Sequence, residues 1–154
     1  MFDNIIAAFE ASPILYYSVV FITGLCTGSF LNVVAWRLPI IMDREWKREC
    51  HQFLDLDEPE FDDYTHSLSL ALPASACTAC GHTIRFWENI PVLSYVLLRG
   101  KCSACGCPIS IQYPLVEILT AAVSTVVAWH FGITLQTPAM LIFTWILIAL
   151  ILID

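Results

Sequence analysis

ILYYSVVFITGLCTGSFLNVVAW, Ile14–Trp36, runs its whole length without a charged side chain. About 20 apolar residues in helical geometry cross the hydrocarbon core of a bilayer, so this stretch predicts a transmembrane helix. Two further apolar runs follow. One spans Ile111–Phe131 and is interrupted by a single carboxylate, Glu117. The other begins near Pro138; its apolar part, Ala139–Ile153, is short for a full crossing, and it reads as the start of a third helix reaching Asp154.

Composition agrees. The chain has 154 residues, 58% of them hydrophobic and 14% charged, with mean hydropathy +0.71. Soluble globular chains hold about 45–50% apolar and about 25% charged residues. The balance excludes a disordered chain and most soluble enzymes, and the net charge of −7 opposes an electrostatic grip on nucleic acid or anionic lipid. The expected fold class is an all-α polytopic membrane protein held in a lipid bilayer, with about three transmembrane helices and a small cytoplasmic zinc-binding loop domain. Its expected divisions are an N-terminal tail (1–13), helix one (14–36), the loop domain (37–110), helix two (111–131) and the start of helix three (138–154).

Residues 1–12 carry Asp3 and Glu10 but no Lys or Arg, and a secretory signal needs a positive n-region. Ile14–Trp36 is therefore expected to be a retained span. Gly24 and Gly28 give it a small-xxx-small face suited to close helix contact. All seven Lys and Arg residues fall in the polar segment Arg37–Ser110. The positive-inside bias then places this segment in the cytoplasm and the N-terminus outside. Within the segment, the basic stretch Pro39–Arg48 is expected to lie along the membrane surface. The acidic run DLDEPEFDD, Asp55–Asp63, lacks the Gly and Glu of a calcium loop and reads as a solvated connector.

Seven cysteines are present, and four form two C-x2-C pairs, Cys77/Cys80 and Cys102/Cys105. The stretch between the pairs is just longer than the usual zinc-site spacing of about 15–20 residues. Each pair is followed by Gly, which supplies the positive-φ turn of a knuckle that aims two thiolates at one ion. Four sulfurs suit tetrahedral zinc, and a reducing cytoplasm favours metal over disulfides. A thioredoxin-like redox pair, or two disulfides if the topology is inverted, are the alternatives. Cys107 and His82 are spare ligands, with Cys107 able to stand in for Cys105. Cys26 reads as a small hydrophobe in an apolar helix, and Cys50 as a residue without a special role.

Several blocks together carry a family resemblance: GLCTGSFLNVVAWRLP (Gly24–Pro39), the two cysteine pairs, WENIPVLSYVLLRGKC (Trp87–Cys102) and CPISIQYPLVE (Cys107–Glu117). In this order they resemble the prepilin peptidases, the type IV leader peptidases that also N-methylate. The resemblance implies a multi-pass aspartic peptidase of the bacterial inner membrane. Its substrates would be type IV prepilins and type II secretion pseudopilins, cleaved at the cytoplasmic face, and S-adenosylmethionine would donate the methyl group. It further implies two catalytic aspartates, the second in a GxGD motif. Asp154 stands where the first is expected, and no GxGD occurs in the 154 residues. One carboxylate cannot share a proton as a pair does, so this chain alone is expected to cleave nothing.

Glu117 is an ionisable group inside an apolar run, which by default suggests function; it is a candidate for a substrate or methyl-transfer role, against a plain interfacial position. Asn32 and Ser29 are expected to hydrogen-bond between helices, and His130 to mark an interface. Two rivals come from other classes. A non-catalytic membrane adaptor would use the zinc loop to dock a partner, and a membrane thiol oxidoreductase would use the C-x2-C pairs without metal.

Overall fold

The computed structural model describes residues 2–57, 59–61 and 63–154. The chain is built from helices α1 (Phe2–Ala11), α2 (Pro13–Phe53), α3 (Asp63–Ser67), α4 (Leu93–Leu97), α5 (Gln112–Phe131) and α6 (Gln136–Ile153). There is also a short 3₁₀ turn at Phe86–Asn89. Among the described residues the only extended pairing is two isolated bridges, Ala76 with Thr83 and Lys101 with Pro108. Among the described residues three helices, α2, α5 and α6, are long and apolar enough to cross a membrane. Glu58 and Asp62 of the acidic run lie outside the described residues.

Residues read from sequence as a tail form α1, whose Phe9 ring packs 5.5 Å from that of Tyr16. Ser12 then caps α2: its hydroxyl accepts from the Leu15 N–H at 3.4 Å, and Pro13 occupies the first turn, where no N–H is needed. The apolar stretch Ile14–Trp36 is only the first part of α2, which runs for 41 residues. At a rise of about 1.5 Å per residue that is about 60 Å, roughly twice the thickness of a hydrocarbon core. The basic stretch Pro39–Arg48 is thus the continuation of the same helix. Pro39 removes one helical hydrogen bond, yet the following residues are mostly good helix formers. Their Lys47–Asp43 (2.8 Å) and Arg48–Glu45 (3.2 Å) pairs lie one turn apart and add a few tenths of a kcal/mol each.

Helix α5 returns antiparallel against α2. Tyr16 and Val20 pack with Ala128 at one end, and Asn32 reaches Tyr113 at the other. Between them the two glycines let the backbones touch. A methyl group on Gly24 would stand 2.7 Å from Ala121 Cα, and one on Gly28 2.7 Å from Glu117 Cα. The facing residues Thr120, Ala121, Ser124 and Ala128 are all small and buried, as close backbone approach in lipid requires. At the turn into α6, the Gly132 carbonyl accepts from Tyr16 Oη (2.8 Å) and Thr137 Oγ1 (2.6 Å). Trp145 Nε1 donates to Ser124 Oγ at 2.9 Å and fixes α6 to the middle of α5.

Candidate metal centre

The two C-x2-C segments fold into the same knuckle twice. In the first, Cys77 N–H donates to the His82 carbonyl (2.9 Å), Gly81 N–H to the Cys77 carbonyl (2.8 Å) and Ile84 N–H to the Ser75 carbonyl (2.8 Å). In the second, Cys102 N–H donates to the Cys107 carbonyl (2.8 Å), Gly106 N–H to the Cys102 carbonyl (3.0 Å) and Ile109 N–H to the Gly100 carbonyl (2.7 Å). Gly81 and Gly106 take φ of +70° and +71°, a region nearly closed to residues with a Cβ. The repeat extends past the cysteines, in the matching letters C-x-A-C-G-x-x-I of 77–84 and 102–109 and in the matching hydrogen bonds, and it makes His82 and Cys107 equivalent positions.

The knuckles bring Cys77, Cys80, Cys102 and Cys105 together, with their sulfurs all within 4.8 Å of one another, a cluster that could hold a metal ion. Cys77 and Cys102 are half-buried, whereas Cys80 and Cys105 are exposed. Backbone amides serve the sulfurs. The Ala79 N–H, then the Cys107 thiol and the Cys80 N–H, hold the Cys77 thiol down to about 6. The Cys107 N–H lowers Cys105 in the same way. The His82 N–H also favours the Cys80 thiolate, but the thiols of Cys105, Cys77 and Cys102 outweigh it and push Cys80 up to about 12. A fifth sulfur is present: Cys107 Sγ lies 3.3 Å from Cys77 Sγ, nearer than Cys105 Sγ at 3.8 Å.

His82 turns elsewhere. Its Nε2 lies 3.3 Å from Ser103 Oγ and 3.4 Å from Glu88 Oε2. Both partners meet the same nitrogen, so this trio is not a serine–histidine–acid relay, which needs one on each side of the ring. It is a strut between the knuckles: Glu88 also accepts the Arg85 N–H at 2.9 Å. The Ser103 hydroxyl, the Arg85 N–H and His82 hold Glu88 below the usual glutamic acid range.

Three side chains moor this segment to the helices. Glu117, 7% exposed at the α2–α5 contact, accepts the Val92 N–H at 2.7 Å. Val92 holds φ +59° immediately before α4. Arg37, 5% exposed, donates to the Ser69 carbonyl (2.9 Å) and the Pro73 carbonyl (2.7 Å). Two turns along α2, Arg44 donates to the carbonyls of Thr65 (2.9 Å), His66 (3.1 Å) and Leu68 (3.1 Å). Leu68 is sealed at 2% exposure beneath them. In the sequence these arginines stand only as topology markers.

Asp154 is exposed and follows the last turn of α6, with its N–H donating to the Leu150 carbonyl at 3.1 Å. Asn32 Nδ2 makes the interhelical bond expected of it, 3.2 Å to the Tyr113 carbonyl. Cys26 and Cys50 are exposed on α2, and His130 packs edge-on to Phe131 at the end of α5.

The sequence model of the bacterial peptidase A24 N-terminal domain matches residues 22–131. Proteins named prepilin leader peptidase/N-methyltransferase are similar along almost the whole chain. The one from Pseudomonas putida is 51% identical over 142 residues, which cover 92% of this chain and 48% of the relative. The one from Pseudomonas aeruginosa is 53% identical over the same shares. That from Stutzerimonas stutzeri is 48% identical over 145 residues, or 94% of this chain and 49% of the relative. The chain thus spans about half the length of the curated relatives it matches. No solved structure matches it.

Proposed function

We propose a function from the premise that this chain belongs to the family of the bacterial peptidase A24 N-terminal domain: it is the N-terminal part of a membrane aspartic endopeptidase. That enzyme removes the leader from type IV prepilins and type II secretion pseudopilins and N-methylates the new N-terminus with S-adenosylmethionine. The observation that carries this reading is the 51% identity to a prepilin leader peptidase/N-methyltransferase across 92% of the chain. The family's chemistry needs two carboxylates, one protonated while the other activates water. Asp154 is proposed as one of them, and the second is expected outside these 154 residues.

Zinc is the ion proposed for the four cysteines. A tetrahedron with Zn–S of about 2.3 Å has edges of about 3.8 Å, which is the Cys77–Cys105 separation. Bound zinc would act as a structural cross-link between the knuckles. The protein's own residues do the rest. The N–H groups of Ala79, Cys80, His82 and Cys107 stabilise thiolates, and Glu117, Arg37 and Arg44 hold the segment against the helices. The orientation proposed puts Arg37–Ser110 in the cytoplasm of a bacterium and the chain in its inner membrane, since every Lys and Arg lies in that segment.

The test uses the parent enzyme carrying this segment. Asp154→Asn should abolish leader removal while leaving one zinc per chain. Processing at a near-parental rate would remove Asp154 from the catalytic pair. An impermeant thiol reagent reaching a cysteine placed at Ser67 in intact cells would invert the topology.

A further inference from the structure

We propose that Cys107 is a reserve metal ligand, so that five thiols serve four coordination positions and Cys105 and Cys107 alternate at one of them. The proposal rests on the metal-binding reading of the four-cysteine cluster and goes beyond it.

Three observations carry it. First, Cys107 Sγ stands 3.3 Å from Cys77 Sγ, at the edge of the four-sulfur cluster and in contact with one of its members. That is shorter than the edge of about 3.8 Å expected between two ligands of one tetrahedral zinc. Cys107 thus touches one of the four cysteines without being one of the group. Second, the internal repeat identifies the resident ligand. Cys80 and Cys105 occupy equivalent places, and each sulfur accepts the N–H of the residue two further on, His82 and Cys107 respectively. Cys105 is thus built into the knuckle as a ligand, and Cys107 holds the place that His82 fills in the first knuckle. Third, the two knuckles differ at that place. The His82 ring turns to Ser103 and Glu88, whereas the Cys107 side chain turns to Cys77 and is half-buried. Cys105, the ligand it would relieve, is exposed.

The exchange balances without a co-reactant. The metal–sulfur bond to Cys105 breaks and that to Cys107 forms. The proton of the Cys107 thiol passes to the released Cys105 sulfur, directly or through water. Four thiolates surround the ion before and after. Gly106 between the two cysteines, already at φ +71°, has the backbone freedom to let the second sulfur swing in. The outcome is a site in which loss of one exposed ligand, by alkylation or substitution, leaves the metal bound.

The experiment uses the full 154-residue chain in detergent, with cobalt(II) as the spectroscopic probe and zinc content measured in parallel. The parent, Cys80→Ser, Cys105→Ser, Cys107→Ser and the double variant Cys105→Ser/Cys107→Ser are compared. Cys105→Ser and Cys107→Ser should each keep one metal per chain, with four-thiolate charge-transfer intensity equal to that of the parent. Cys80→Ser and the double variant should each lose affinity by about a hundredfold, the share of one ligand in a four-ligand site. If Cys105→Ser falls as far as Cys80→Ser, Cys107 does not substitute and the proposal is wrong. It is equally wrong if Cys105→Ser keeps metal but shows three-thiolate intensity that Cys107 removal leaves unchanged. A parent chain that binds neither metal would instead overturn the metal reading itself.

Discussion

Adding one methyl group at Gly28 tests whether the α2–α5 contact is as tight as its geometry indicates. The new Cβ in Gly28→Ala would sit 2.7 Å from Glu117 Cα and 3.1 Å from Thr120 Cβ, where ordinary contact is 3.4–4 Å. The first obstacle is backbone and cannot rotate away, so the helices must part by about 1 Å, the strain of inserting a methyl into a packed interface. Such a shift carries the Asn32–Tyr113 bond, now 3.2 Å, past hydrogen-bonding range. Overpacking costs about 1–3 kcal/mol, and an interhelical bond in a membrane protein contributes about 0.6 kcal/mol. Against this, Ala is better than Gly in a helix by about 0.8–1.0 kcal/mol. The net expectation is a loss of about 0.6–2.8 kcal/mol. It is read as a lower SDS fraction at half-unfolding in mixed micelles, followed by tryptophan fluorescence. Cys26→Ala, on the exposed side of the same helix, should leave the midpoint where it was. If Gly28→Ala is as stable as the parent, or more so, helix propensity outweighs packing and the close-contact reasoning is wrong.

Arg37→Ala should release the Ser69–Pro73 segment, because two carbonyls lose their donor at about 1–3 kcal/mol each; limited proteolysis there should quicken at least tenfold, and unchanged cleavage would contradict the clamp. Glu88 is held below its ordinary range, so its stabilisation of the knuckle strut is present above about pH 4.5 and is lost as pH falls through the depressed value. The Arg85 amide, which donates to it, should titrate below about pH 4.5 by NMR in detergent; a midpoint above that contradicts the depression. Without metal, Cys77 is a thiolate above about 6, but Cys80 keeps its proton up to about 12. Metal uptake near neutral pH should therefore release protons, and affinity should rise with pH. Calorimetry in two buffers of different ionisation enthalpy measures the release, and identical heats would rule it out.

The parts legible in the sequence were those with a local, repeated signal. Apolar runs with at most one charge mark the three long helices, because a bilayer tolerates few charges, and C-x2-C-Gly marks the knuckles. What stayed hidden has no such signal. Pro39 ordinarily suggests an end to helix; the helix formers and paired charges after it and the clamped segment beside it explain why α2 continues. Arg37 appeared as one positive charge among seven, since main-chain carbonyls 32 and 36 residues away have no sequence signature. Glu117 stood out as an acid in an apolar run, but its partner is a backbone N–H at Val92 that no residue type announces. Cys107 reads in the sequence as a spare thiol; its contact with Cys77 is the point at which the two knuckles differ, since the equivalent His82 turns to Ser103 and Glu88.

The length of α2 turns the span into a lever. The part of the helix beyond Trp36, which ends at Phe53, reaches about 25 Å past the apolar part, and Arg37 and Arg44 fasten Thr65–Pro73 along that arm. Membrane helices tilt by about 20° on average and adjust their tilt to bilayer thickness. A tilt of about 10° swings Arg44, about 12 Å along the arm, sideways by about 2 Å. The knuckles, however, are also tied at Val92 to Glu117, within the membrane part of the helix pair. One attachment follows the arm and the other follows the pivot. A change in lipid thickness would therefore be felt as shear across the loop segment, with the first cysteine knuckle lying in the stretch of chain between its two fixed points.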